Sequence, residues 1–135
     1  EKLVLPVDVV VADEFKEHAA HETVAVDRMP DGKIGLDVGD KTIELFSQKC
    51  ADAQTIIWNG PLGAFETKPF NIGTFEFAKK ISTLPAQTIM GGGDTAAAIE
   101  EAGLQDAMSF ISTGGGASLT VLEGKKLPGI EMLTE

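Results

Sequence analysis

Two runs of three glycines, Gly91-Gly92-Gly93 and Gly114-Gly115-Gly116, constrain this chain more than any other feature. Each stands between a short apolar run, Thr88–Met90 or Met108–Ser112, and a helix-like pattern, Asp94–Ala102 or Ala117–Glu123. Both patterns then run into a further glycine, Gly103 or Gly124, a natural helix terminator. A single glycine suffices for a tight turn. Three in succession leave several backbone N–H groups open to close approach, which packing alone does not explain.

Three more apolar runs, Val7–Ala12, Ile34–Val38 and Thr55–Trp58, end in glycine, acid or polar residues. Most of the runs are continuously apolar, as strands buried on both faces of a parallel sheet are. Ile43, Phe46, Cys50 and Ala53 recur at helical spacing after Asp40, which predicts a helix starting there; Phe70, Phe77, Ile81 and Leu84 predict a second. The alternation predicts an α/β fold: a parallel sheet flanked by helices, Rossmann-like in three layers, with right-handed crossovers. The charged segment Phe15–Lys33 holds both histidines and the turn signal Pro30-Asp31-Gly32, and is expected to form a hairpin-like surface excursion. No internal repeat or low-complexity linker divides the 135 residues, which make one domain or part of one.

Composition narrows the function classes. With 43% hydrophobic residues the chain is not of the disordered class, and the lone Cys50 has no partner for a disulfide. Runs such as Val9-Val10-Val11-Ala12 are far too short to span a bilayer, and Glu1-Lys2 opens without a leader, so a cytoplasmic, soluble protein is expected. A start at Glu1, directly before a strand-like run, suits either an excised piece or a tag-cleaved native domain. The net charge of −10, from 21 acids and 11 bases, opposes nucleic-acid and anionic-membrane partners. A small phosphate-bearing ligand remains compatible, because backbone N–H groups bind anions without net positive charge.

Ligands of open parallel sheets bind beyond the C-terminal strand ends. There the sequence places Gly39, Asn59-Gly60-Pro61-Leu62-Gly63, Gly91-Gly92-Gly93-Asp94-Thr95 and Thr113-Gly114-Gly115-Gly116-Ala117-Ser118. Asp94 has two readings, a helix cap or a carboxylate supporting hydrated Mg²⁺ while N–H groups and the Thr95 hydroxyl hold phosphate oxygens. Neither GxxxxGK[ST] nor a GxGxxG followed by an acid is present, so a nucleotide would bind by another design. His18, His21 and Glu22 lack an established metal spacing and read as a solvated face. Cys50 and Trp58 read as core, and Ser112 and Ser118 have no neighbouring histidine for a hydrolase triad.

Thr55–Glu66, Gly91–Thr95 and Ser112–Leu119, with Leu5–Asp8, Gly35–Gly39 and Leu122–Gly129 in the same order, resemble the phosphoglycerate kinase family. The resemblance covers nearly the whole chain, residues 1–135, as the C-terminal portion of that family's nucleotide-binding domain. It implies a Mg²⁺-dependent kinase that passes a phosphoryl group between 1,3-bisphosphoglycerate and ADP, giving 3-phosphoglycerate and ATP. It also implies two α/β domains hinged around a cleft, of which the N-terminal one, with its basic phosphoglycerate site, has no counterpart here. Nor do the phosphate-binding lysines that open the nucleotide domain, so these residues alone are expected to be inactive and to self-associate. By the same resemblance Gly35 and Leu36 line the adenine slot, Asn59 and Pro61 contact the nucleotide, and Glu66 accepts the ribose hydroxyls. Gly92, Gly93, Asp94 and Thr95 form the phosphate and Mg²⁺ site, with Asp94 as the metal residue. Gly114, Gly115 and Gly116 face the transferring phosphoryl group, with Ser112-Thr113 near a hinge. The contrasting possibility is a stand-alone, non-catalytic nucleotide-binding or interaction module.

Overall fold

The structure, a computed structural model, describes residues 2–126. Glu1 and residues 127–135 lie outside the described residues, and with them Leu127-Pro128-Gly129, the end of the last motif.

The described residues form two small sheets. Strands β1 (Asp8–Ala12), β2 (His21–Ala25) and β3 (Ile34–Val38) make an antiparallel sheet in the order β2-β1-β3. Strands β4 (Thr55–Asn59), β5 (Gln87–Gly91) and β6 (Phe110–Ser112) make the expected parallel sheet, in that order. Helices α1 (Asp40–Cys50), α2 (Ile72–Ser82), α3 (Gly93–Glu101) and α4 (Gly115–Leu122) complete the fold.

The parallel sheet is thus smaller than expected, because Val7–Ala12 and Ile34–Val38 belong to the other sheet. An apolar run does not reveal strand direction. The connection does: parallel neighbours need a crossover, and Phe15–Lys33 carries no helical periodicity. Its central residues instead form β2, which pairs with β1 from Asp8↔Ala25 to Ala12↔His21, so the hairpin-like excursion is a real ribbon.

One face of the parallel sheet carries the core. Ile56 and Trp58 of β4 and Met90 of β5 pack against Ile43, Phe77, Ala78, Ile81 and Ile99 from α1, α2 and α3. Phe77 meets Trp58 edge-on at 5.2 Å. The alternate residues Ile57 and Ile89 face the other way, where they line an apolar cavity of about 380 Å³ with Phe110 and Leu119 and Val121 of α4. Helices on both faces make the three layers. Cys50, half-buried and packed against the core, has its thiol pushed up in pKa by burial, which suits a small core residue.

Helix ends refine the sequence reading. The glycines Gly103 (φ 71°) and Gly124 (φ 79°) follow α3 and α4. At the N-termini none of the four α-helices has a cap from its own flanking side chain. Gly39 rather than Asp40 occupies the cap position of α1, and Asp8 of β1 accepts the N–H groups of Lys41 and Thr42 instead. Asp37 of β3 likewise accepts the N–H of Gly73, at 2.8 Å, in the first turn of α2.

Candidate functional site

The register of the parallel sheet builds the site. Asn59 pairs with Gly91, and Gly91 with Ser112, so three C-terminal strand ends stop in one row. Whatever follows them in sequence must share the space beyond. From those segments Gly60-Pro61, Gly92–Thr95, Thr113 and Gly115-Gly116, together with Asn59 and Gly91, line a polar cavity of about 270 Å³.

The glycines have separate physical reasons. Gly92 has φ 101°, a left-handed conformation that a side chain disfavours, and its N–H donates to the Ser112 carbonyl at 2.8 Å. Gly115 stands where a Cβ would come within 2.6 Å of Gly92 Cα and 2.8 Å of Asn59 Nδ2. The two triple-glycine turns therefore touch, and bulk at Gly115 is excluded. In α3 the first backbone bond back to the turn is Ala96 N–H to Gly92 O, and in α4 it is Ser118 N–H to Gly114 O. The N–H groups of Gly93, Asp94 and Thr95, and of Gly115, Gly116 and Ala117, precede those bonds at helix N-termini that favour an anion.

Asp94 is settled as something other than a cap, since Gly92 holds the cap position of α3. Its exposed carboxylate has no hydrogen bond or ion pair among the described residues. Thr95, by contrast, is 1% exposed, and its hydroxyl accepts the N–H of Gly60. Its visible role is to tie the β4–α2 loop to α3.

Other expected site residues flank this cavity. Gly35, Leu36 and Pro61 line a neighbouring cavity of about 520 Å³, between β3 and the Pro61–Ala64 loop, with Asp8, Asp37 and Met29. Glu66 lies in a third, of about 210 Å³, with Phe15, Pro61 and Asp94. Pro61 lines all three. Gly114 sits slightly apart, lining the apolar cavity beside α4, with its N–H on Ser112 Oγ at 3.2 Å. His18, His21 and Glu22 are exposed on the antiparallel ribbon, with His21 edge-on to Phe70 and Glu22 paired with Lys33.

Sequence reasoning missed Phe15 and Asp37. By sequence Phe15 only opens the surface excursion, yet it is 60% exposed over the cavity that holds Glu66 and Asp94. Asp37 offered a signal: a carboxylate inside an apolar strand needs partners when buried. Burial pushes its carboxyl up to about 6, against the opposing N–H groups of Gly73 and Val38. Asp8 shows the opposite balance. Burial raises it, but the Thr42 hydroxyl and N–H, with the backbone of Lys41 and Gly39, hold it below the usual carboxylate value.

Among the described residues no group of three or more His, Cys, Asp or Glu side chains could enclose a metal. A single free carboxylate beside helix N-termini suits a hard cation whose other ligands are phosphate and water oxygens. No helix among the described residues is long and apolar enough to cross a membrane.

Both the sequence and the fold have known relatives. The phosphoglycerate kinase family matches residues 1–125. A relative named phosphoglycerate kinase, chloroplastic, from Volvox carteri is 53% identical over 137 aligned residues, covering 99% of this chain and 30% of that protein. A phosphoglycerate kinase of Anaeromyxobacter dehalogenans is 52% identical, covering 98% and 34%. The solved phosphoglycerate kinase of Coxiella burnetii superposes with a TM-score of 0.88 at 45% identity, over 97% of this chain and 34% of that one. That of Pyrococcus horikoshii OT3 gives 0.79 at 32% identity, over 93% and 31%. The chain thus spans about a third of the length of these relatives. On its own sequence and on its superposition with solved members, the chain belongs to the phosphoglycerate kinase family.

Proposed function

We propose that this chain forms the C-terminal portion of the nucleotide-binding domain of a phosphoglycerate kinase, which moves a phosphoryl group between 1,3-bisphosphoglycerate and ADP to yield 3-phosphoglycerate and ATP, in glycolysis. The observation that carries the reading is the convergence of three strand ends, two glycine turns and the unpaired Asp94 carboxylate on one cavity. Gly35 and Leu36 would hold the adenine against the Pro61–Ala64 loop, and Asn59 and Pro61 would contact the nucleotide between base and phosphates. Glu66 would accept the ribose hydroxyls. The N–H groups at the start of α3, with Gly92, Gly93 and Thr95, would orient the phosphates. Those of Gly114, Gly115 and Gly116 would face the phosphoryl group in transit. Mg²⁺, held by Asp94 together with phosphate and water oxygens, would supply positive charge where the phosphates crowd.

Such a site performs positioning and charge stabilisation, which is what phosphoryl transfer asks of a protein. Phosphoglycerate would be bound by residues outside this chain, in keeping with its acidic balance and with its third of the relatives' length. The cytoplasm is the compartment this reading assigns, in line with the unpaired Cys50.

The test is Asp94→Asn in the full-length protein that carries these residues. Asp94 caps nothing, so the melting temperature should stay put while turnover falls on the order of a hundredfold. Unchanged turnover at limiting Mg²⁺ would overturn the metal assignment.

A further inference from the structure

The Pro61–Ala64 loop is held against β3 by a closed circuit of contacts. The Ala64 N–H donates to the Leu36 carbonyl at 2.9 Å. The Leu62 N–H donates to Thr74 Oγ1 of α2 at 3.0 Å, and Thr74 is fully buried. One residue before Thr74, the Gly73 N–H donates to Asp37 Oδ2 at 2.8 Å, and Asp37 returns the circuit to β3. Asp37 Oδ1 also accepts the Val38 N–H at 2.8 Å. The carboxylate fills the space between two glycines: a Cβ on Gly63 would fall 2.3 Å from Asp37 Oδ1, and one on Gly73 would fall 2.2 Å from it. Asp37 is 5% exposed, at the floor of the cavity between β3 and the loop.

A neutral, apolar residue would avoid the cost of burying charge at this place, and α2 could take a cap from its own flank. A buried acid wedged against two glycines does something else as well: it fixes a separation. We propose that Asp37 is a positioning residue that sets the width of the base slot between Gly35-Leu36 and the Pro61–Ala64 loop. This rests on the reading of that cavity as the adenine slot. Through Gly63 the carboxylate limits how closely the loop approaches β3. Through Gly73 and Thr74 it limits how far the loop swings away. The consequence is felt by the nucleotide base and not by phosphoglycerate.

The experiment uses the full-length protein. Asp37→Asn keeps the size but turns an amide N–H₂ toward one of two N–H donors. The KM for ADP should rise roughly tenfold, with a much smaller fall in kcat and an unchanged KM for 3-phosphoglycerate in the reverse reaction. Gly63→Ala keeps the carboxylate and crowds it, together with the Phe70 carbonyl, and should give the same split. In the wild-type protein, saturating ADP should slow hydrogen exchange at the Ala64 and Gly73 amides. A folded Asp37→Asn variant with a lowered melting temperature and an unchanged KM for ADP would reduce Asp37 to a helix cap and overturn the proposal. Should that variant fail to fold, unchanged KM in Gly63→Ala, or unmoved amide exchange in the wild type, overturns it equally. If ADP does not bind the wild-type protein in calorimetry, the slot reading itself falls and the positioning role with it.

Discussion

The Thr95 hydroxyl accepts the backbone N–H of Gly60 at 2.7 Å, joining residues 35 positions apart across the rim of the polar cavity. A buried threonine at the third position of α3 thus fixes the turn that follows β4. Thr95→Val keeps the shape and removes the acceptor, leaving the Gly60 N–H unpaired. Such a loss costs about 1–3 kcal/mol. Thermal denaturation should show the drop, nucleotide affinity should fall with it, and Thr95→Ser should restore both. Equal melting temperatures for Thr95→Val and the wild type would show that water replaces the hydroxyl.

The two buried aspartates make opposite pH predictions. Asp37 has its folded pKa raised to about 6 from 3.8, so the folded state holds its proton more tightly than the unfolded one. Its contribution to stability is fully present below the unfolded value and is lost as pH rises through about 6, by roughly 1–3 kcal/mol. Asp8 has its folded pKa lowered, so its contribution is present above 3.8 and is lost as pH falls. Denaturant titrations from pH 4 to pH 8 should therefore show wild type losing ground relative to Asp37→Asn as pH rises. A pH-independent difference between the two proteins would contradict this.

These 135 residues expressed alone should show no phosphoglycerate kinase activity and should self-associate. Ile57, Phe110, Leu119, Val121 and Leu122 are all exposed beside one apolar cavity. Covering several hundred Å² of such surface is worth on the order of 10 kcal/mol, comparable with the whole stability of a domain. Sedimentation across a dilution series would show association. A monomer at every concentration, unfolding cooperatively, would prove the exposed face harmless; ATP formation from 1,3-bisphosphoglycerate by the isolated chain would show the site complete.

The parallel β4-β5-β6 sheet was legible in the sequence because each strand leads into glycine and, for β5 and β6, directly into a helix. The cavity beyond it was legible for the same reason. What stayed hidden was non-local. Nothing in Val7–Ala12 distinguishes a parallel partner from the antiparallel ribbon with His21–Ala25. Gly115 reads as an open N–H, and its contact with Gly92 emerges only when two loops that lie 23 residues apart are brought together in space. Thr95 reads as a phosphate ligand from its place in the turn, and nothing local shows that its hydroxyl also accepts the N–H of Gly60 from another strand's loop. By residue type Asp94 leaves a cap and a metal-supporting carboxylate both open, and only the backbone shows that Gly92 holds the cap position.

The borrowed caps of α1 and α2 bear on how the chain acquires its shape. Asp8 lies 33 and 34 residues from the two amides it receives, and Asp37 lies 36 residues from Gly73. The first turns of α1 and α2 thus draw these bonds from distant carboxylates, and at 11 residues each helix is too short to persist alone in water. The two helices therefore lean on β1 and β3 for bonds that complete their first turns, and losing either strand should unwind its client helix in the same cooperative step.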